Sequence, residues 1–362
     1  MRKRRRMSKK RSKRNFKRGT RVHIKNLVTS RPMRGGIRLW AVPCNFPIEA
    51  YRPISGGQLI FDVKYGRSNG LERTDVPCNN CMGCNMEYTR QWAMRCTHEA
   101  SLHDQNAFVT LTYSPENLPP GGCLRHSDFQ DFMRRLRQTK GVPDSIKYYM
   151  CGEYGDPSED DRYVGQTGRP HYHALIFGYD WPDKEFMGKR EHGHEFFGSE
   201  LLTKQWQHGH TELGSVTFES AAYVAGYVSK KLKESNDGYI DRYHVIDTHT
   251  GEYSLRPAEY CKMSRGGPPR KDGTQQRGIA AEWWDRYRGD LEKDFITMQG
   301  KRMRPPKYYD RLEEQRDADS FQRIKDKRRE QSLSKEHDDL KRGREKEKCK
   351  QIRFNKRSKR SH

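Results

Sequence analysis

One strand, apolar for most of its length but opening on two histidines, constrains this chain more than any other stretch. In Gly168-Arg169-Pro170-His171-Tyr172-His173-Ala174-Leu175-Ile176-Phe177-Gly178 a Gly/Pro turn leads into a continuous apolar run. That is the pattern of a buried strand bounded by turns. Side chains alternate faces along a strand, so His171 and His173 point one way, about 7 Å apart along the chain, and Tyr172 the other. Two imidazoles placed like this can converge on one cation. The spacing alone is common at protein surfaces. His192-Gly193-His194 and His208-Gly209-His210 lack an apolar strand to fix them, and read as loop histidines.

The rest of the chain cannot all pack around such a strand. Of 362 residues, 32% are apolar and 33% charged, so part of the chain is expected to stay outside any core. The formal charge of +23 is also unevenly spread. Residues 1–40 hold 17 Lys/Arg and no acid, and residues 321–362 hold 17 Lys/Arg against 7 acids. The middle, 41–320, is slightly acidic at −4. Basic ends on a near-neutral middle point to nucleic acid through counterion release. The arm opens with Arg2, Lys3, Arg4, Arg5 and Arg6, which repel one another and suit phosphates contacted without sequence preference. A solubilising tail is the plainer alternative. No run approaches the roughly 18 apolar residues of a membrane span. No apolar segment follows the basic start, as a secretory signal would require. Nine cysteines, an odd number, fit a reducing compartment better than a disulfide framework.

Three of those cysteines, Cys78, Cys81 and Cys84, form C-x2-C-x2-C. They can hold structural zinc if a fourth ligand arrives from elsewhere, and Cys44 is the candidate. Cys44 stands ahead of a predicted strand, Gln58–Val63. Cys96 and His98 compete for the role, but fall in a predicted helix from Met86 to about His103, where Trp92, Ala93 and Cys96 could simply pack. An iron–sulfur cluster or unliganded thiols are the other readings.

Between 105 and 235 the elements alternate. Ala107–Tyr113 is a β-branched strand, and Ser127-Asp128-Phe129-Gln130 reads as a capping box opening a helix. Phe129, Phe132, Met133 and Leu136 fall on one face of that helix. Ile146–Glu153 is a second strand ending in a carboxylate, and a polar loop separates it from the histidine strand. This order predicts an α+β fold, with a central antiparallel sheet and helices on one face. Glu153 beside His171 and His173 would make a site for Mg2+ or Mn2+ with positions left open for substrate. A further helix, Glu219–Leu232, has an apolar stripe of Ala221, Val224, Ala225, Val228 and Leu232. Tyr223 and Tyr227 lie off that stripe, one turn apart, with Lys230 angularly between them. A nearby ammonium favours the phenolate, and a tyrosine pair near a metal suits phosphoryl transfer through phosphotyrosine.

Several stretches together carry a family resemblance. Phe108–Tyr113, Gly152-Glu153-Tyr154-Gly155, Arg169–His173 and Tyr223–Lys231 stand in the order and spacing of HUH endonucleases, the rolling-circle replication initiators. With Pro77–Cys84 and Arg90–Cys96 added, the chain from about Cys44 to Tyr309 resembles the initiators of gokushoviruses, single-stranded DNA phages of the Microviridae. The run from Arg21–Leu27 through Pro32–Leu39 resembles the small basic DNA-packaging peptide of the same phages. The chain would then join two products usually made separately, or begin too far upstream.

The resemblance implies a mechanism. His171, His173 and Glu153 would hold the ion at a scissile phosphate of single-stranded or replicative-form DNA at the origin. Tyr227 would attack, become linked to the 5′ phosphate and leave a 3′-OH for a host DNA polymerase, with a host helicase as a further partner. Tyr223 would take the second attack, and Lys230 would orient the phosphate or support the phenolate. All this would take place in the host bacterial cytoplasm. Residues 1–40 are then a DNA-binding arm, 41–104 a Cys-rich segment with its helix, and 105–235 the endonuclease core. Residues 236–310 extend that core, and 311–362 form a charged tail, solvated or disordered. In the extension, the helix around Ile279–Tyr287 reads as packing. The competing reading is a non-enzymatic DNA-binding or packaging protein with a zinc module.

Overall fold

The computed structural model describes residues 48–52, 60–79, 82–157, 162–190, 193–226, 238–264, 277–298, 300–333, 348–349 and 352. The chain divides into two units, Met1–Ile37 and Arg38–His362, and every described residue belongs to the second. It opens with the paired strands β1 (Ile48–Arg52) and β2 (Glu72–Val76), the short α1 (Val63–Ser68) between them, and then the long α2 (Met82–Ala100). Next come β3 (Asn106–Thr112), α3 (His126–Gln138), β4 (Lys147–Tyr154), β5 (Tyr163–Gly165) and β6 (Pro170–Phe177). The hairpin of β7 (Glu185–Lys189) and β8 (Glu195–Gly198) precedes α4 (Glu200–Trp206), β9 (Thr211–Gly214) and α5 (Phe218–Gly226). Then follow α6 (Tyr239–Tyr243), β10 (His244–Asp247), β11 (Tyr253–Leu255) and β12 (Tyr260–Met263). Last are α7 (Ala281–Tyr287), the β13 (Ile296–Met298) and β14 (Lys301–Met303) pair, α8 (Lys307–Arg316) and α9 (Ala318–Leu333).

Seven strands pair in the order β12-β4-β6-β3-β9-β8-β7, antiparallel throughout. The α+β class and the antiparallel sheet are those the sequence predicts. The histidine strand β6 sits between β4 and β3, with Glu153 on the strand next to it. Helices cover both faces, where the sequence led us to expect one. Tyr172, Ala174 and Ile176 of β6 join a core with Phe129, Phe132, Met133 and Leu136 of α3 and Leu202 and Trp206 of α4. Leu175 and Phe177 join a second core with Trp92, Ala93 and Cys96 of α2 and Ala221, Val224 and Ala225 of α5. A strand covered on both sides needs apolar residues at every position, and this explains the unbroken run after His173. The small residues of α5 let it approach α2 closely.

Local chemistry moved some boundaries. Val63 begins a helix instead of ending a strand, because the Asp62 carboxylate accepts the Tyr65 N–H at 3.0 Å and caps it. The capping box at Ser127 does not form. α3 starts a residue earlier, and Asp128 is buried, accepting the Tyr113 hydroxyl at 2.7 Å and the Ser127 hydroxyl at 3.0 Å. Cys96 is fully buried, which pushes its thiol well above the usual range, and His98 Nδ1 lies 2.6 Å from the Tyr309 hydroxyl. Neither is a metal ligand. The described part of the expected solvated tail is also anchored: Phe321 is buried, and Arg328 pairs with Asp294 and Asp310. A single apolar residue and one guanidinium thus turn a highly charged segment into a docked helix.

Replacing Arg328 by Met should cost about 3 kcal/mol of stability, because Asp294 and Asp310 lose the cation that shares their partly enclosed site. Urea denaturation measures this. A loss below roughly 1 kcal/mol would show that burial of Phe321 is enough to hold α9.

Candidate metal centre

Antiparallel pairing sets Glu153, near the end of β4, opposite His171, near the start of β6. One pair further along, His173 faces Cys151 on β4 and Thr110 on β3. The alternation of β6 brings both histidines to the face covered by α2 and α5. Glu153 Oε1 lies 2.6 Å from His171 Nε2 and 3.0 Å from His173 Nε2. The two rings stand nearly perpendicular, with centroids 5.0 Å apart. One ligand atom from each of the three residues lies within 4.8 Å of the others. Among the described residues this is the group of His, Cys, Asp and Glu side chains that could hold a metal ion.

Electrostatics keep the group ready for a cation. Burial by itself would raise the Glu153 carboxyl, but hydrogen bonds from His171 and then His173 outweigh it and hold the acid below its ordinary range. Burial pushes His173 below the usual histidine range, against the raising effect of Glu153, and so favours the neutral ring that can ligate. Glu153 Oε2 is buried and has no hydrogen-bond partner. An orphaned carboxylate oxygen costs on the order of 1–3 kcal/mol, and a cation bridging the two imidazoles and the acid would meet it. Two nitrogens and a hard oxygen fit Mg2+ or Mn2+, and half-buried His171 leaves a route from solvent.

Both outer ring nitrogens are engaged. His171 Nδ1 lies 3.2 Å from the Arg169 carbonyl oxygen, and His173 Nδ1 lies 3.0 Å from Thr110 Oγ1. Phe108, two residues before Thr110, stacks on the His173 ring with centroids 5.6 Å apart. Tyr223 on α5 is half-buried and meets His173 edge-on at 5.1 Å between centroids. Its ring also meets Phe108 at 6.4 Å. Tyr227 and Lys230 lie outside the described residues, as do Cys44, Cys81, Arg2, Lys3, Arg4, Arg5 and Arg6. Away from the centre, Cys78 and Cys84 bring their sulfurs to 3.9 Å. Thr110 and Phe108 are the contributors that sequence reasoning missed. Alternation put Phe108, Thr110 and Thr112 on one face of β3, but only the register shows that this face meets the histidines.

The protein should bind one Mn2+ at this group, read by electron paramagnetic resonance. His173→Ala and Glu153→Ala should each weaken binding by more than the roughly 10–100-fold expected for a neighbour of a ligand. His98→Ala should leave it unchanged, and equal losses in all three variants would contradict the assignment.

A family model for replication-associated proteins of the ORF2 type matches residues 106–232. The replication-associated protein VP4 of Bdellovibrio phage phiMH2K is 35% identical over 214 residues, 56% of this chain and 64% of that protein, a little under two thirds of its length. The replication-associated protein ORF2 of Spiroplasma virus 4 is 28% identical over 275 residues, 72% of this chain and 75% of that protein. The replication-associated protein ORF4 of Chlamydia phage 1 is 28% identical over 163 residues, 43% of this chain and 38% of that protein. No solved structure matches the chain. Through the segment that holds β3, β4, β6, the histidine pair, Glu153 and Tyr223, the chain matches the family of ORF2-type replication-associated proteins.

Proposed function

We propose that the protein initiates phage DNA replication by cutting one strand at the origin and later rejoining it through a covalent 5′-phosphotyrosine. The observation that carries this reading is the position of Tyr223, edge-on to His173 on the metal side of the sheet. A protein that only coats DNA has no use for a buried carboxylate held between two imidazoles with a phenol beside them. Similarity to phage replication-associated proteins points the same way.

Glu153, His171 and His173 hold Mg2+ or Mn2+, which when bound supplies Lewis acidity at the scissile phosphate. Tyr227, one helical turn beyond Tyr223 in the sequence, makes the first attack. Its phenol oxygen bonds to phosphorus and the bond from phosphorus to the 3′ oxygen breaks. The proton lost by the phenol balances the one gained by the departing 3′-OH, so a host polymerase can extend that end while a host helicase parts the strands. Tyr223 takes the second attack after one round. Because each step exchanges one phosphate ester for another, the strand is resealed without a high-energy cofactor. Lys230 orients the phosphate or favours the phenolate.

The substrates are single-stranded and replicative-form DNA in the host bacterial cytoplasm. No described helix is long and apolar enough to cross a membrane. Arg2, Lys3, Arg4, Arg5 and Arg6 add contacts to phosphates that weaken with salt. Cys78 and Cys84 anchor a structural zinc: their 3.9 Å separation is close to the roughly 3.8 Å edge of a tetrahedron with zinc–sulfur bonds of about 2.3 Å. The sequence supplies Cys81 and Cys44 as further thiolates for it.

With labelled single-stranded origin DNA and Mn2+, the wild type should form an adduct that survives SDS. Tyr227→Phe should abolish the first adduct, and Tyr223→Phe should keep it but lose rejoining. No adduct from protein that has bound Mn2+ would overturn the reading in favour of packaging. Elemental analysis should find zinc in the wild type and little in Cys78→Ser. Equal zinc in both would remove the thiolate site.

A further inference from the structure

Thr110 stands opposite His173 across the β3–β6 pairing, and its Oγ1 lies 3.0 Å from His173 Nδ1. The other face of that imidazole is set by Glu153, whose Oε1 lies 3.0 Å from Nε2. His173 is 7% exposed, so each of its ring nitrogens needs a partner inside the protein. The two histidines are served differently. His171 Nδ1 faces the Arg169 carbonyl oxygen, which can only accept, so that nitrogen carries its hydrogen with or without a cation. His173 Nδ1 faces a hydroxyl, which can donate or accept as its rotor turns.

We propose that Thr110 is a positioning residue that lets His173 exchange tautomers when a divalent cation arrives. Without the cation, the His173 Nε2–H donates to Glu153 Oε1, and Nδ1 accepts from the Thr110 hydroxyl. With the cation, Nε2 gives its lone pair to the metal, the proton resides on Nδ1, and Nδ1–H donates to Thr110 Oγ1, now turned to accept. One proton leaves Nε2 and one arrives at Nδ1, so the ring stays neutral and neither state leaves a buried nitrogen unpaired. Thr suits the post for a second reason: its β-branched side chain favours the strand that sets the register. This inference rests on reading the Glu153, His171 and His173 group as a divalent-cation centre.

The test compares full-length wild type, Thr110→Val and Thr110→Ser, with Mn2+ affinity read by electron paramagnetic resonance. Thr110→Val keeps the branched shape and loses the hydroxyl, so it should bind Mn2+ about 10–100-fold more weakly. Thr110→Ser restores the hydroxyl and should stay within about threefold of wild type, where loss of mere packing would follow the missing methyl. A Thr110→Val affinity equal to wild type, or a Thr110→Ser loss as large as that of Thr110→Val, overturns the role. Nitrogen-15 NMR of wild type labelled at histidine gives a readout that needs no variant. His173 should carry its hydrogen on Nε2 alone and on Nδ1 when Mg2+ is added, and one tautomer in both conditions would overturn the exchange. If the wild type binds neither metal, it is the cation centre itself that fails, and this result is distinct from both.

Discussion

The register that sets β6 between β4 and β3 is the constraint from which the rest follows. It places Glu153 against His171 and Thr110 against His173, and it sends all four side chains to one face. Slipping β6 by one residue would carry the histidines to the other face and bring Tyr172 into their place. The other face holds that register. Tyr172 packs there among aromatic side chains, its hydroxyl 3.0 Å from that of Tyr113 and accepting the Arg125 N–H at 2.9 Å. A tyrosine between the two histidines therefore locks the strand from behind while they face the site.

Burial then turns proximity into chemistry. In water a carboxylate and two imidazoles would be solvated separately. Here α2 and α5 close over the sheet, and Glu153 is 4% exposed, so its charge is met by ring nitrogens. The shared oxygen Oε1 bridges both rings, while Oε2 is left for a ligand the protein does not supply. Supporting contacts lie further out. Glu99 of α2 is buried with Lys147 at the start of β4, Nζ to Oε1 at 2.8 Å, and so fixes α2 to the strand that ends at Glu153. Arg256 is also buried, and donates to the carbonyl oxygens of Thr167 and Gly168, just before β6. It fixes the turn from which the histidine strand departs.

Much of this was legible in the residues themselves. Periodicity alone gave α3 its buried face of Phe129, Phe132, Met133 and Leu136, and gave β6 its strand character and the shared face of its histidines. What could not be read was whatever depends on residues far apart in sequence. Thr110 is 63 residues from His173, and nothing in its own neighbourhood marks it as that ring's partner. Local competition decided other cases. Asp62 caps a helix where a β-rich run suggested a strand, and Asp128 serves Tyr113 instead of a helix end. The charged C-terminal segment looked solvated because composition does not show that Arg328 meets two carboxylates at once.

The central claim is that one divalent cation is gripped by two imidazoles and a carboxylate on a single sheet face. X-ray absorption at the manganese edge of the Mn2+-loaded protein tests it most directly, because imidazole rings leave a recognisable multiple-scattering signature. The account predicts two imidazole nitrogens in the first shell, with oxygen making up the rest. A shell of oxygen alone would contradict it.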